Sequence, residues 1–317
     1  MELRLAALLF ACAFIGIASA GPVVTSRPVA DAQLLDLLKD ICSEVKDEVR
    51  DHVPAKFAEL VHSLKSLPRA TIARIDRQVH GSGFCASSKL LDIWNDALIM
   101  DASEGSLKLI AEQIVRKEVS PARANYLFTM MAFSRNPTSG AVRAVLPILE
   151  EKDVPRQALL GISALIRNSW SGSQPEQTPE IRDAVRAIIK YMDRNIKHQD
   201  RVVVALKALQ NIGAIDEAMD KVIRLATDQS YKSGVRVAAI EALRAQAAQP
   251  KVTEKCMEIF QNTQESSEIR IAAYKIVIES RDRHFVQRIV QTVRKEENKQ
   301  GESHRGLKLM RSVRRIL

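Results

Sequence analysis

Gly234-Val235-Arg236-Val237-Ala238-Ala239-Ile240 and Glu268-Ile269-Arg270-Ile271-Ala272-Ala273-Tyr274 follow one pattern: a small or polar opening, an arginine, then a run of alanine and larger apolar residues. The pattern recurs upstream. Ser120-Pro121-Ala122-Arg123-Ala124 opens one such segment, Val154-Pro155-Arg156-Gln157-Ala158-Leu159-Leu160 another, and Gln199-Asp200-Arg201-Val202-Val203-Val204-Ala205-Leu206 a third. Successive arginines lie 33, 45, 35 and 34 residues apart, and the long interval holds a polar loop over 169–179 with Pro175 and Pro179. Without that loop the period is nearly constant. Partner helices of a second type read over 106–117, 140–151, 180–195, 215–227, 252–262 and 284–295. Helix pairs repeating at this period are the signature of an α-solenoid. The arginine-led helix is apolar on more than one face, so it needs neighbours on both sides, which stacking of repeats supplies. No stretch sustains period-two alternation. The expected fold is all-α, a two-layered α-superhelix of antiparallel helix pairs, HEAT-like. The recurring arginine is expected at an exposed or salt-bridging position between repeats.

Upstream of the array, Leu34, Leu35, Leu38, Ile41, Cys42, Val45 and Val49 recur at helical spacing after a plausible N-cap, Asp31. A further helix follows Pro68 to about Val79, where His80-Gly81-Ser82-Gly83 ends it. Residues 21–33 read as a short leader, 34–300 as one helical domain and 301–317 as a basic tail. Residues 1–20 are a separate object. Residues 5–20 carry no charge, Ala18-Ser19-Ala20 fits signal-peptidase cleavage, and the run is shorter than the roughly 20 residues of a spanning helix. The expected product is secreted, its mature chain starting near Gly21; a membrane anchor is the alternative.

The chain has 317 residues and a formal net charge of +9. From Arg288 onward nine Lys/Arg face three Glu, so most of the excess sits at the end. In a helix from Leu307, the residues Leu309, Met310, Val313, Ile316 and Leu317 share one face, and Lys308, Arg311, Arg314 and Arg315 the opposite one. Such a basic amphipathic segment suits an anionic lipid surface; an end without a role is the alternative. Nucleic acid is not expected, because secretion and the lack of stacking aromatics oppose it. Of the three cysteines beyond the first twenty residues, Cys42 and Cys85 are the natural pair on proximity, with Cys256 left over. Three buried, unbridged thiols are the other reading. No histidine sits in a metal motif, and no nucleophile elbow or phosphate loop occurs, so neither an enzyme, a cofactor nor a metal is expected. His80 and Cys85 flank glycines in a way compatible with a site, and more simply with a helix-ending loop.

Lys89-Leu90-Leu91-Asp92-Ile93-Trp94-Asn95-Asp96-Ala97-Leu98 and Tyr126-Leu127-Phe128-Thr129-Met130-Met131-Ala132-Phe133, with 201–213 and 270–280, resemble the helical domain of the vitellogenin and apolipophorin family of large lipid transfer proteins, the insect apolipophorins above all. The resemblance covers about Leu34 to Lys299. It implies a superhelix curving around β-sheets that line a lipid cavity, and carriage of phospholipid or acylglycerol through extracellular fluid without catalysis. Family members place a β-barrel before this domain and cavity sheets after it, so the sequence reads as a truncated or short isoform whose partners are lipids and those β-sheet domains. A face built for absent sheets is expected to expose a large apolar patch and to drive self-association. The alternative function is a secreted helical-repeat scaffold for a protein partner, which a face of mixed charge would favour over a continuous apolar one.

Overall fold

The computed structural model of the chain describes residues 31–45, 53–65, 67–135, 137–170 and 178–299. Every regular element among them is helical. Two compact units divide between Ile148 and Leu149. In the N-terminal unit lie α1 (Asp31–Glu44), α2 (Val53–Leu64), α3 (Arg69–Val79), α4 (Ser88–Asp101), α5 (Glu104–Val115), α6 (Pro121–Met131) and α7 (Ser139–Glu150), the last ending just past the division. The C-terminal unit holds α8 (Arg156–Asn168), α9 (Pro179–Arg194), α10 (Gln199–Ile212), α11 (Met219–Thr227), α12 (Ser233–Ala242), α13 (Pro250–Gln261), α14 (Ser267–Glu279) and α15 (Arg283–Lys299).

The sequence dictates many of the starts. Ser87, Ser103, Ser120, Thr178 and Ser266 each accept a hydrogen bond from a backbone N–H of the first helical turn, and Pro121 and Pro179 occupy first-turn positions where no N–H is needed. Gly213, at φ +76°, closes α10 in a conformation that other residues seldom adopt. The apolar pattern from Leu34 through Cys42 falls on α1, with Val45 just past its end and Val49 outside the described residues, and a further helix, α2, follows with Pro54 in its first turn. The partner helix expected over 215–227 begins as a single 3₁₀ turn, Asp216–Ala218, before α11.

Within each unit the helices alternate between two layers. In the C-terminal unit α8, α10, α12 and α14 pack in series, while α11 and α13 pack on their partners α12 and α14. The first series is the alanine-rich one, as its composition requires. Val202, Val204, Ala205, Leu206, Ala208 and Leu209 of α10 are all buried, so water reaches only one narrow strip of that helix. In the N-terminal unit α2, α4 and α6 form the corresponding series and α3 lies against α5.

The recurring arginines do not share one role. Arg236 and Arg270 are buried, contrary to a simple exposed position, and they repeat each other's bonds. Arg236 Nε donates to the Ala226 carbonyl at 3.0 Å and Arg270 Nε to the Phe260 carbonyl at 2.7 Å, each the carbonyl ten residues back near the end of the preceding helix. Arg236 also pairs with Glu265 at 2.7 Å, and Arg270 with Glu296 of α15. Each arginine thus meets orphan helix-end carbonyls and a carboxylate together, and each ties its own repeat to the next. Arg201 is exposed and bonds Asn195, while its neighbour Val202 takes the buried place. Arg156 is exposed. Arg123 pairs with Asp92 and Asp96 of α4. Along the other layer a surface ladder runs from Lys221 to Asp193, Lys251 to Asp220 and Arg288 to Glu254.

Cys42 of α1 is joined to Cys85, after α3, by a disulfide that closes a separation of 43 residues. Cys256 of α13 is free and buried, and burial pushes its thiol up to about 12, so it is not a reactive thiolate.

Two outcomes follow for stability. Arg270→Ala, which strands Glu296 in the interior, is expected to cost about 3–5 kcal/mol, whereas Lys251→Ala on the surface ladder should cost less than about 1 kcal/mol; denaturant unfolding followed by circular dichroism separates them. Cys42→Ser with Cys85→Ser releases the closed loop and should lower the stability of the N-terminal unit by about 4 kcal/mol, measured by the same method with the oxidised parent as reference.

Candidate functional site

The residues expected to meet a lipid surface, Lys308, Leu309, Met310, Arg311, Val313, Arg314 and Arg315, lie outside the described residues, as do residues 1–30, whereas the last three residues expected in the leader, 31–33, form the start of α1. The pairing of His80 with Cys85 in one site is not found: Cys85 is taken by Cys42, and His80 caps α3. The large apolar patch is also not found among the described residues. Val115, Phe133 and Leu160 are the large apolar side chains classed as exposed there. On the water-facing strip of α10, α12 and α14, half-buried Val203, Val237 and Ile271 are interleaved with Lys207, Glu241 and Lys275, and Arg244 follows in the 3₁₀ turn after α12. Lys207 pairs with Glu241 at 3.5 Å and Arg244 with Glu279 at 3.0 Å across neighbouring helices. Charge on this strip removes the argument for self-association through bare apolar surface.

What the structure does assemble is a polar cleft between α3 and α5 in the N-terminal unit. The two helices touch at their starts. An added Cβ on Gly105 would stand 3.2 Å from the Cα and Cβ of Arg69, so only glycine allows that approach without displacement. Toward their ends lies a cleft of about 550 Å³ lined by Ala73, Asp76, Arg77 and His80 of α3 and its cap, Leu109, Glu112 and Gln113 of α5, and Arg116, Glu118 and Val119 beyond it.

Its floor is a buried carboxylate. Asp76 is 8% exposed and lies on the same face of α3 as Ile72, Ile75 and Val79. Its Oδ1 accepts from Trp94 Nε1 at 2.9 Å and from Gln113 Nε2 at 3.2 Å. Its Oδ2 receives only Gln113 Nε2 at 3.4 Å. His80 Nδ1 stands 2.9 Å from the Asp76 carbonyl and 3.3 Å from Oδ1. Burial raises the Asp76 pKa above the ordinary carboxylate range against the pull of Trp94, His80 and Gln113. The Gln113 amide has one sensible orientation, since turning it would set its oxygen against the carboxylate. That leaves Gln113 Oε1 buried without a partner. At the rim, Arg116 stands 3.9 Å from both Glu112 and Glu118, and Arg77 donates through Nε to the Ala73 carbonyl. The sequence carried a signal for this floor that went unread: Asp76 and Gln113 are polar residues on apolar helix faces. Trp94, eighteen residues away on α4, could be joined to them only by the fold.

A second buried carboxylate lies in the same unit. Asp96 of α4 pairs with Arg123 at 2.7 Å, and Arg123 stacks over the Tyr126 ring at 4.8 Å. Burial pushes Asp96 up to about 6 in spite of Arg123, and, with Asp96 beside it, pushes Tyr126 up to about 12.

Residues 28–303 match the family described as the vitellogenin TPR domain. The chain belongs to that family. Among curated relatives, the apolipophorins of Locusta migratoria are 27% identical over 81% of this chain and those of Manduca sexta 25% over 78%. The vitellogenin of Penaeus merguiensis is 26% identical over 86%. The matched segment is 8% of each of those apolipophorins and 11% of that vitellogenin, so this chain spans a small part of their length. A solved lipovitellin chain, from a structure concerned with lipid–protein interactions in lipovitellin, superposes with a TM-score of 0.68 at 20% identity, covering 87% of this chain and 29% of its own. That likeness establishes the fold as the helical one present there.

Asp96 sets a testable pH dependence. Its pKa is raised on folding from 3.8, so the stability it contributes is present in full below pH 3.8 and is lost as pH rises through about 6. Between pH 4 and pH 7 the parent should lose about 2 kcal/mol relative to Asp96→Asn, whose side chain does not titrate; urea midpoints of both proteins across that range are the check.

Proposed function

We propose that this chain is the helical part of an extracellular lipid-transport protein of the apolipophorin and vitellogenin type, and that it serves as a framework rather than as the lipid reservoir. The family match over 28–303 carries the reading. The Cys42–Cys85 disulfide supports an oxidising, extracytoplasmic setting, in accord with the signal-like first twenty residues. No described helix is long and apolar enough to cross a membrane. The interleaved charges on the outward strip of α10, α12 and α14 favour contact with a folded protein surface, such as the β-sheet domains of a longer lipid-transfer assembly, over direct contact with acyl chains. The tail is the segment of this chain suited to a lipid surface, through Leu309, Met310 and Val313 with Lys308, Arg311, Arg314 and Arg315. No catalytic role is assigned.

The experiment is expression in a eukaryotic secretory host, followed by N-terminal sequencing of the medium and density flotation with emulsions of anionic phospholipid and acylglycerol. A mature start near Gly21 and co-flotation that is lost on deleting 301–317 are expected. An intracellular, uncleaved product that stays at the bottom of the gradient overturns the reading.

A further inference from the structure

The arginine series does not stop at Arg270. Glu302-Ser303-His304-Arg305 again sets polar residues before an arginine, 35 residues after Arg270. Gly301 is a break and Ser303 an N-cap residue ahead of it. The apolar face of Leu309, Met310, Val313, Ile316 and Leu317 then follows. The lengths agree as well. Residues 262–266 join α13 to α14, and 300–303 after α15 make a connection one residue shorter. Residues 304–317 are as many as the 14 of α10.

The surface that such a helix needs is present on α15. Helices α13 and α15 begin at residues 250 and 283, so Thr253, Met257 and Phe260 have their counterparts in Val286, Val290 and Val293. The first three are covered by the repeat that follows them, Phe260 meeting Tyr274 of α14 with ring centroids 5.7 Å apart. Their counterparts are only half-buried, although Phe285 and Ile289 on the adjoining flank are buried. The three valines lie at helical spacing on one side of α15, the side that α14 covers one repeat earlier. A helix inside the array is apolar on several faces, whereas the last one needs a single apolar face and a polar outer one. Lys308, Arg311, Arg314 and Arg315 lie opposite the apolar residues, as that position requires.

We propose that residues 304–317 dock on α15 as the capping helix of the array, setting Leu309, Met310 and Val313 against Val286, Val290 and Val293. A second copy of α15 would bring only the same three valines. The tail brings larger side chains on a short tether, which holds it at high effective concentration. Docking is independent of the lipid-transport reading. Where that reading gives the same apolar face to lipid, contact requires the helix to leave α15.

The test is hydrogen exchange, followed by mass spectrometry, on the mature full chain without lipid. Amides over 307–317 are expected to exchange about tenfold or more slowly than an unstructured peptide, equally at every protein concentration. Leu309→Asp with Val313→Asp should restore the unstructured rate there and speed exchange over 286–296 by about tenfold. Val290→Asp, at a half-buried position, should free the tail in the same way, with unchanged exchange in α10 and α12 as the check on folding. A tail that exchanges at the unstructured rate in the parent overturns the proposal. So does protection that appears only at high concentration, which assigns the valine stripe to a second copy, and so do α15 rates indifferent to the tail substitutions. With no lipid present, failure here leaves the flotation result standing, and a failed flotation leaves the docking standing.

Discussion

The constraint behind the C-terminal unit is that α8, α10, α12 and α14 have too much apolar surface to meet water on more than one strip. Burying Val202, Val204, Ala205, Leu206, Ala208 and Leu209 of a single helix needs a neighbour on either side and a partner beneath. A helix pair alone cannot supply this. Each repeat therefore depends on the next, and the arrangement of two layers follows from the composition of one of them.

Polar groups drawn into such an interior fare differently according to their partners. Arg236 and Arg270 arrive with a helix-end carbonyl and a carboxylate each, so charge and geometry are met within the unit. The pairs hold repeats in register, and removing one partner costs far more than breaking any rung of the exposed ladder. Asp76 and Gln113 are the contrasting case. They satisfy each other in part, Trp94 adds one bond, and Gln113 Oε1 is left buried without a partner.

The helix repeat was legible because it rests on periodicity, and periodicity is a local property. The partner helices expected over 106–117, 140–151, 180–195 and 252–262 match α5, α7, α9 and α13 within a residue or two. The arginine register was legible only in part. Arg236 and Arg270 are true equivalents, whereas Arg123 and Arg201 stand one place from the buried position and Arg156 is at the surface. Spacing cannot reveal a slip of one residue, which on a helix turns a side chain by over a quarter of a turn. The expected apolar patch failed for a related reason. Counting apolar residues does not show which of them the next helix covers.

The sequence by itself determined that the chain is helical and repetitive, that its ends differ in character from its middle, and that Cys256 has no partner once Cys42 and Cys85 pair. These follow from composition and spacing along the chain. Only the tertiary structure decided that Asp76, Trp94 and Gln113, up to 37 residues apart, would share one carboxylate, that Gly105 would let α3 and α5 meet at one end, and that charge would interrupt the outward strip. Hydrogen bonds and cavities depend on distances across helices, and no local pattern encodes a distance between elements that only packing brings together.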